Sequence, residues 1–339
     1  MSTNPVLDSL QRPLHDLRIS VTDRCNFRCT YCMPKEVFGR DYVFLNREQL
    51  LTFEEITRLT RILVELGVQK VRLTGGEPML RRDFEKLVAM LASIEGLDDI
   101  AMTTNGSLLT PERAQALKAA GLKRVTVSLD SLDDARFRSM NDVDFPLQKV
   151  LDAIDAAADA GLEPVKVDMV VKHDETDQDI VDMAGHFRGS GHILRFIEYM
   201  DVGTTNGWRM QDVVSAKEIL ERINAVWPVE PVDPNYFGEV AERYRYVDGQ
   251  GEIGIIASVT IPFCAACTRA RLSADGELYT CLFGTRGHDL RSLLRSGQTD
   301  EEVAEAVRSI WGRRFDRYSE IRSEDTISLQ KVEMSRIGG

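Results

Sequence analysis

The sequence predicts an α/β fold: an open, partial (βα)6 barrel followed by a smaller C-terminal α+β region that carries its own cysteine cluster. Three observations predict it. Short apolar β-type runs at residues 17–21, 70–74, 99–104, 124–130, 164–171 and 193–200 alternate with stretches of helical period, the pattern of parallel strands joined by right-handed crossovers. Six units fall short of a closed eight-unit barrel, so the barrel is read as open. After residue 203 the alternation gives way to proline- and glycine-punctuated turns, which sets the expected division at 1–203 and 204–339.

Taken in order, the first run leads into the loop Cys25-Asn26-Phe27-Arg28-Cys29-Thr30-Tyr31-Cys32. Thr52-Phe53-Glu54-Glu55 is a capping box that opens a helix to about Leu66. The second run ends in Gly75-Gly76-Glu77-Pro78 and the third in Thr103-Thr104-Asn105-Gly106, after which Thr110-Pro111 caps and starts another helix. Ser128-Leu129-Asp130 closes the fourth run, residues 151–161 have helical spacing with Gly161 as C-cap, and Glu198-Tyr199-Met200 closes the sixth. Singly, each break reads as a turn. Together they fall at the carboxyl ends of strands, where a parallel sheet keeps its functional groups. Further on, 204–211 reads as a loop, 215–225 as a helix, 228–251 as turns and short strands, 252–262 and 271–278 as β-type runs, and 289–294 and 300–311 as helices.

Of 339 residues, 43% are hydrophobic and 28% charged, as in soluble globular chains. A net charge of −12 speaks against a general nucleic-acid or membrane-surface binder, but leaves room for one small polyanion met by a local set of cations. No run is apolar enough to cross a bilayer, and residues 1–20 lack an apolar core behind a basic start. The expectation is a cytoplasmic protein with reduced thiols.

All six cysteines fall into two triplets, Cys25, Cys29 and Cys32 spaced CxxxCxxC, and Cys264, Cys267 and Cys281 spaced CxxC and then thirteen residues to the third. In a reducing compartment such triplets read as metal sites. Structural zinc wants four protein ligands, whereas a cubane held by three thiolates leaves one iron open. A zinc or disulfide loop is the alternative for the first triplet, and His288 is a candidate fourth ligand that would make the second a zinc site. Arg18, Arg72 and Lys166 lie inside apolar strands, where a charge is costly unless paired; a carboxylate partner and a phosphate ligand are the two explanations.

CxxxCxxC with Tyr31 before its last cysteine, followed by the GGEP of residues 75–78, resembles the radical S-adenosylmethionine superfamily. The second triplet, with Arg269 and Arg271 beside it and a terminal Gly338-Gly339, is similar to the GTP 3',8-cyclases of molybdenum cofactor biosynthesis, a likeness that runs from about residue 15 to the end. Asp23-Arg24-Cys25-Asn26-Phe27-Arg28-Cys29 and Leu194-Arg195-Phe196-Ile197-Glu198 are close to the family form. The resemblance implies two [4Fe–4S] clusters and S-adenosylmethionine, bound at the open iron of the first cluster and cleaved there to a 5'-deoxyadenosyl radical. Tyr31, Gly76, Ser128 and Met200 match cofactor contacts, although Met200 alone reads as core packing. GTP would lie between the barrel mouth and the second cluster, whose open iron takes a guanine nitrogen. Arg18, Arg72, Thr103, Lys166, Arg269, Ala270 and Arg271 match substrate contacts. Hydrogen abstraction at ribose C3' and attack of C3' on C8 would give (8S)-3',8-cyclo-7,8-dihydroguanosine 5'-triphosphate.

The same resemblance places Gly338 and Gly339 with Cys25, Cys29 and Cys32 as catalytic, the tail reaching back into the active site; by themselves two terminal glycines read as a frayed end. Thr268 departs from an Asn common in relatives. Implied partners are GTP, an electron donor and the next enzyme of the pathway, cyclic pyranopterin monophosphate synthase, with no nucleic acid or membrane and a monomer or homodimer. Two rival readings remain, another radical S-adenosylmethionine enzyme with an auxiliary cluster and a zinc-stabilised binding module. The first commonly carries a longer C-terminal cysteine set than three.

Overall fold

The computed structural model describes residues 5–322, 326 and 329–338. Its centre is a run of six parallel strands paired in chain order, β1 (Asp16–Ser20), β2 (Lys70–Thr74), β3 (Asp99–Thr104), β4 (Arg124–Ser128), β5 (Lys166–Val171) and β6 (Ile193–Glu198). Crossover helices lie between successive strands, and the expected starts hold. Thr52 and Glu55 form the capping box of α1 (Phe53–Glu65), and Thr110 caps α3 (Pro111–Ala119). Between them lies α2 (Phe84–Ala92), and α4 (Asp134–Asn141), α5 (Leu147–Asp159) and α6 (Ile180–Phe187) continue the alternation. Helix α5 begins four residues before the expected 151, because Pro146 at the N-cap fixes the start there.

The C-terminal region builds onto both edges of this sheet. After α7 (Ala216–Asn224) come β7 (Val229–Val232), β8 (Glu242–Tyr246) and β9 (Glu252–Ile256), and β9 pairs parallel with β6. Strand β10 (Arg269–Leu272) pairs parallel with β1, and β11 (Glu277–Tyr279) and β12 (His288–Asp289) extend that edge antiparallel. The result is one twelve-stranded sheet, β12-β11-β10-β1-β2-β3-β4-β5-β6-β9-β8-β7, open between β12 and β7. The run expected at 271–278 is in fact a hairpin, broken at Asp275-Gly276 where Gly276 takes φ +85°, a turn dipeptide in its usual place. Helices α8 (Leu290–Arg295) and α9 (Asp300–Gly312) follow, and α9 packs back on α1.

Both sheet faces are covered, but by different chemistry. Leu17, Ile19, Val71, Leu73, Met102, Val127, Val167 and Phe196 are at most 1% exposed and join the helix-side core. The alternate positions, Arg18, Arg72, Thr103, Ser128, Lys166 and Arg195, line a cavity inside the barrel. Period two along each strand thus separates an oily outer layer from a polar lumen.

Candidate active site

The lumen cavity, about 250 Å³, runs from the carboxyl ends of β4 and β6 to the second cysteine triplet. Register sets its charge. On adjacent strands Arg18 stands opposite Arg72 on one side and Arg271 on the other, so three guanidinium groups lie abreast. Like charges directly opposed destabilise a sheet. Burial pushes Arg18 well down, followed by the fields of Arg271, Arg72 and Arg269. Burial and Arg195 lower Arg72 to about 10, and burial and Arg269 bring Arg271 to about 10. Both stay charged at neutral pH, and the cavity carries a concentrated positive field.

Arg72 donates to Thr103 Oγ1 at 3.1 Å and Thr126 Oγ1 at 3.0 Å. Among the described residues, no carboxylate stands within ion-pair distance of Arg72, Lys166, Arg269 or Arg271. Arg195 is bidentate to a carboxylate, Asp168, at 2.7 and 2.8 Å. For Arg72 and Lys166 the carboxylate explanation falls away among the described residues. Burial and then Arg195, Arg124 and Arg72 lower Lys166 to about 7. A phosphate at Lys166 stabilises its charged form, so nucleotide affinity is expected to be full below pH 7 and to weaken as pH rises above it. Lys166→Arg should flatten that profile between pH 6.5 and 8.5 in equilibrium binding of GTP, while the ionisation of the nucleotide itself is common to both proteins.

The first triplet sits behind the cavity wall. Its loop is stapled by Arg28, which donates to the carbonyls of Cys25, Phe27 and Phe38 at 2.8 Å each. It is docked on the end of α4 through Arg28 N to Asn141 O and Thr30 N to Met140 O, each 3.0 Å. Phe27 anchors it among Phe137 and Phe145. Tyr31 reaches the cavity, and its hydroxyl donates to Asp130 at 3.0 Å. Burial, then Glu77, pushes the Cys25 thiol up to about 11; burial, then the neighbouring thiols, raises Cys29 and Cys32 further. Such thiols stay protonated until a cation joins them, and a bound metal reverses that balance. Three soft donors on a rigid loop fit an iron–sulfur cluster.

In the second triplet one thiol, Cys267, faces the opposite field. Burial raises Cys267, but Arg269 and Arg314 outweigh it and hold the thiol at about 6; Arg269 donates to its sulfur at 3.4 Å. Burial and Asp316 push Cys281 up to about 12, and Cys264 Sγ lies 2.7 Å from Ser319 Oγ. The loop is held from beneath by Arg12 on the Cys264 carbonyl and Arg314 on the Cys267 carbonyl, both 2.8 Å, and both arginines pair with the buried Asp8. These donors also fit a cluster. His288 is exposed on edge strand β12, away from the cavity lining.

Tyr31, Ser128, Met200, Arg18, Arg72, Thr103, Lys166, Arg269, Arg271 and the second triplet all border one cavity. Ala270 is fully buried on the other face of β10, which leaves its backbone alone near the site. Gly76 lies against the first loop, its N–H donating to Thr22 O at 2.8 Å. Gly338 is inside, and Arg271 donates to its carbonyl; Gly339 lies outside the described residues.

Sequence reasoning passed over five residues around the site. Asp168 and Arg195 carry the same signal as Lys166, a charge at a period-two position of an apolar strand. Glu77 is buried, pushed up to about 7 by burial, and accepts from Met79 N, Thr104 Oγ1 and Asn105 N at 2.8–3.0 Å. It thereby ties the GGEP turn to the end of β3. Asp130, pushed up to about 6 by burial, orients Tyr31. Asp8 gave no sequence signal.

Residues 19–187 match the model of the Radical SAM superfamily, and residues 192–320 that of Molybdenum Cofactor Synthesis C. A protein of Acidothermus cellulolyticus named GTP 3',8-cyclase is 54% identical over 99% of this chain and 100% of its own length. Proteins of the same name from Xanthomonas campestris pv. campestris and Staphylococcus haemolyticus are each 48% identical, over 100% and 98% of this chain and 99% of their own. Streptococcus suis SuiB, in a crystal structure bound to S-adenosylmethionine, superposes with TM-score 0.62 at 14% identity over 92% of this chain and 68% of its own, and so shares the fold. The fold and the first cysteine loop are those of a radical S-adenosylmethionine enzyme. Within that superfamily the chain belongs to the GTP 3',8-cyclase family. Membership brings iron–sulfur clusters and S-adenosylmethionine as cofactors, and the two donor sets fit two clusters.

Proposed function

We propose that this protein converts GTP to (8S)-3',8-cyclo-7,8-dihydroguanosine 5'-triphosphate, the first step of molybdenum cofactor synthesis. One observation carries the reading: a single cavity joins the strand-end residues beside the first thiol loop to the second triplet, with a concentration of buried cations in between. Cys25, Cys29 and Cys32 would hold the first cluster, with Tyr31, Gly76, Ser128 and Met200 around the cofactor. Cys264, Cys267 and Cys281 would hold the second. When bound, the cluster and S-adenosylmethionine supply a nucleoside radical able to take hydrogen from ribose C3'.

The chain's own residues do the placing. Arg18, Arg72, Lys166 and Arg271 take the triphosphate, with Thr103 orienting Arg72, and charge-assisted contacts of this kind are the strong ones. Arg269, beside the second triplet, joins them on the triphosphate, and Ala270 adds a substrate contact through its backbone. Attack of C3' on C8 is intramolecular, so a fixed sugar-to-base geometry supplies much of the rate. The barrel walls exclude water from the radical. Gly338 and Gly339 act from the tail. The radical domain is assigned to 1–203 and the substrate region to 204–339, although the sheet runs through both. The electron donor and the synthase that takes the product are partners of a monomer or homodimer, placed in the cytoplasm; among the described residues no helix is long and apolar enough to cross a membrane.

Anaerobically reconstituted protein with S-adenosylmethionine and a reductant should form 5'-deoxyadenosine faster when GTP is present than without it, together with the cyclised nucleotide. 5'-Deoxyadenosine release indifferent to GTP overturns the assignment in favour of another radical S-adenosylmethionine reaction. Zinc without acid-labile sulfide would overturn both.

A further inference from the structure

Directly after Met200, where β6 ends, Asp201 is 2% exposed and surrounded by groups from the C-terminal segment. Lys331 Nζ donates to its Oδ2 at 2.6 Å and its carbonyl at 3.0 Å, Tyr318 donates to Oδ2 at 2.5 Å, and Arg322 pairs with Oδ1 at 3.0 Å. The Lys331 side chain is 1% exposed and that of Arg322 8%. Both lie over the stacked rings of Phe283 and Tyr318, whose centroids are 4.3 Å apart. Three and four residues beyond Asp201, and two beyond Lys331, the direction of donation reverses: Thr204 N, Thr204 Oγ1 and Thr205 Oγ1 donate to Glu333, all at 2.9 Å.

The two segments are therefore stitched by reciprocal polar contacts. From this seam the chain runs through the short turn Met334–Ile337, with Met334 on the cavity wall and Ile337 fully buried, to Gly338. Gly338 takes φ +75°, and a Cβ there would stand 2.3 Å from Thr74 Oγ1, so the tail passes where only glycine fits. Its carbonyl is the hydrogen-bond acceptor of Arg271, a buried guanidinium set beside two others. Charge burial on this scale is costly when one partner is lost.

We propose that Asp201, with Lys331 and Glu333, is a positioning latch that seats the C-terminal tail so that the Gly338 carbonyl aims Arg271 at the nucleotide. This rests on the proposed GTP reading only for the name of the ligand; the seating itself is independent of it. Because Asp201 adjoins Met200, the latch also ties the cofactor side of the cavity to the substrate side. Asp201 touches neither substrate nor cofactor and acts through Arg271.

The test uses the full-length protein carrying Lys331→Met and, as a milder second variant at the half-buried end of the seam, Glu333→Gln. Timed carboxypeptidase release of the terminal residues reads the seating without any cofactor. In the parent the tail should resist, and in both variants release should quicken at least tenfold. In loaded enzyme, GTP-dependent cyclisation should fall at least tenfold and GTP affinity should weaken with it, S-adenosylmethionine cleavage without GTP should persist, and Lys331→Arg should restore much of the loss. Parent-like tail protection in Glu333→Gln overturns the proposal, as does a loss of cyclisation matched by an equal loss of GTP-free cleavage and of melting temperature. If release quickens but no GTP-dependent reaction exists even in the parent, the latch stands and the GTP assignment falls.

Discussion

Cys281→Ala is expected to leave S-adenosylmethionine cleavage intact while reducing cyclisation of GTP by at least about 100-fold, the scale on which misplacement of a reacting group is felt. The separation follows from how each triplet is held. The first loop is fixed by Arg28, by the end of α4 and by Phe27 in its aromatic pocket, none of which involves residue 281. The second is built on the far edge of the sheet, beside β10, and braced by Arg12, Arg314 and Asp8. Removing Cys281 deletes one of three thiolates there, and the small cluster it packs against, Val202, Phe283 and Tyr318, is separate from the main core that holds the first loop. Iron and acid-labile sulfide should fall by about half relative to the parent protein, with 5'-deoxyadenosine still produced under strong reductant. Cyclisation at the parent rate would remove the second triplet from substrate binding.

The alternation of β-type runs with helical periods was enough to place β1 to β6, because local propensity and tertiary packing agree along a parallel sheet covered by helices. The chemistry of the site was legible where one short segment carries it, as in the cysteine loop and the Arg269-Ala270-Arg271 strand. It was less legible where a role depends on register. Nothing local in Arg18, Arg72 and Arg271 says that strand pairing sets them side by side; that follows from β10 returning to lie against β1 across some 250 residues of chain. The same non-local step hid where the C-terminal strands dock: the runs expected after residue 228 widen the barrel at both edges. Asp8, Glu77 and Asp201 were missed for a related reason. A lone carboxylate in a loop looks like any solvated acid until folding surrounds it with donors.

Gly76→Ala carries the other large expected effect, and it arises from backbone rather than from chemistry. Gly76 N donates to Thr22 O and Glu77 N to Arg24 O, both at 2.8 Å, which brings the GGEP turn directly against the chain entering the cysteine loop. A Cβ at residue 76 would lie 2.3 Å from the Arg24 carbonyl oxygen, 2.5 Å from its carbon and 2.9 Å from Cys25 N. These are backbone atoms, so no rotamer change can relieve the overlap. The loop must move outward, or the turn must release Glu77 from Thr104 and Asn105. Overpacking of this sort costs about 1–3 kcal/mol, which a domain of this size tolerates, so the variant should fold. What it should lose is the first cluster, because Cys25 shifts relative to Cys29 and Cys32, which remain docked on α4. The expected outcome after anaerobic reconstitution is about half the parent's iron and sulfide, no cleavage of S-adenosylmethionine with or without GTP, and GTP binding at the second site still measurable. It is the mirror image of the Cys281→Ala result. A Gly76→Ala protein with a full complement of iron and normal cleavage would show that the turn and the loop can part without cost, and that the close approach between them does not set the position of Cys25.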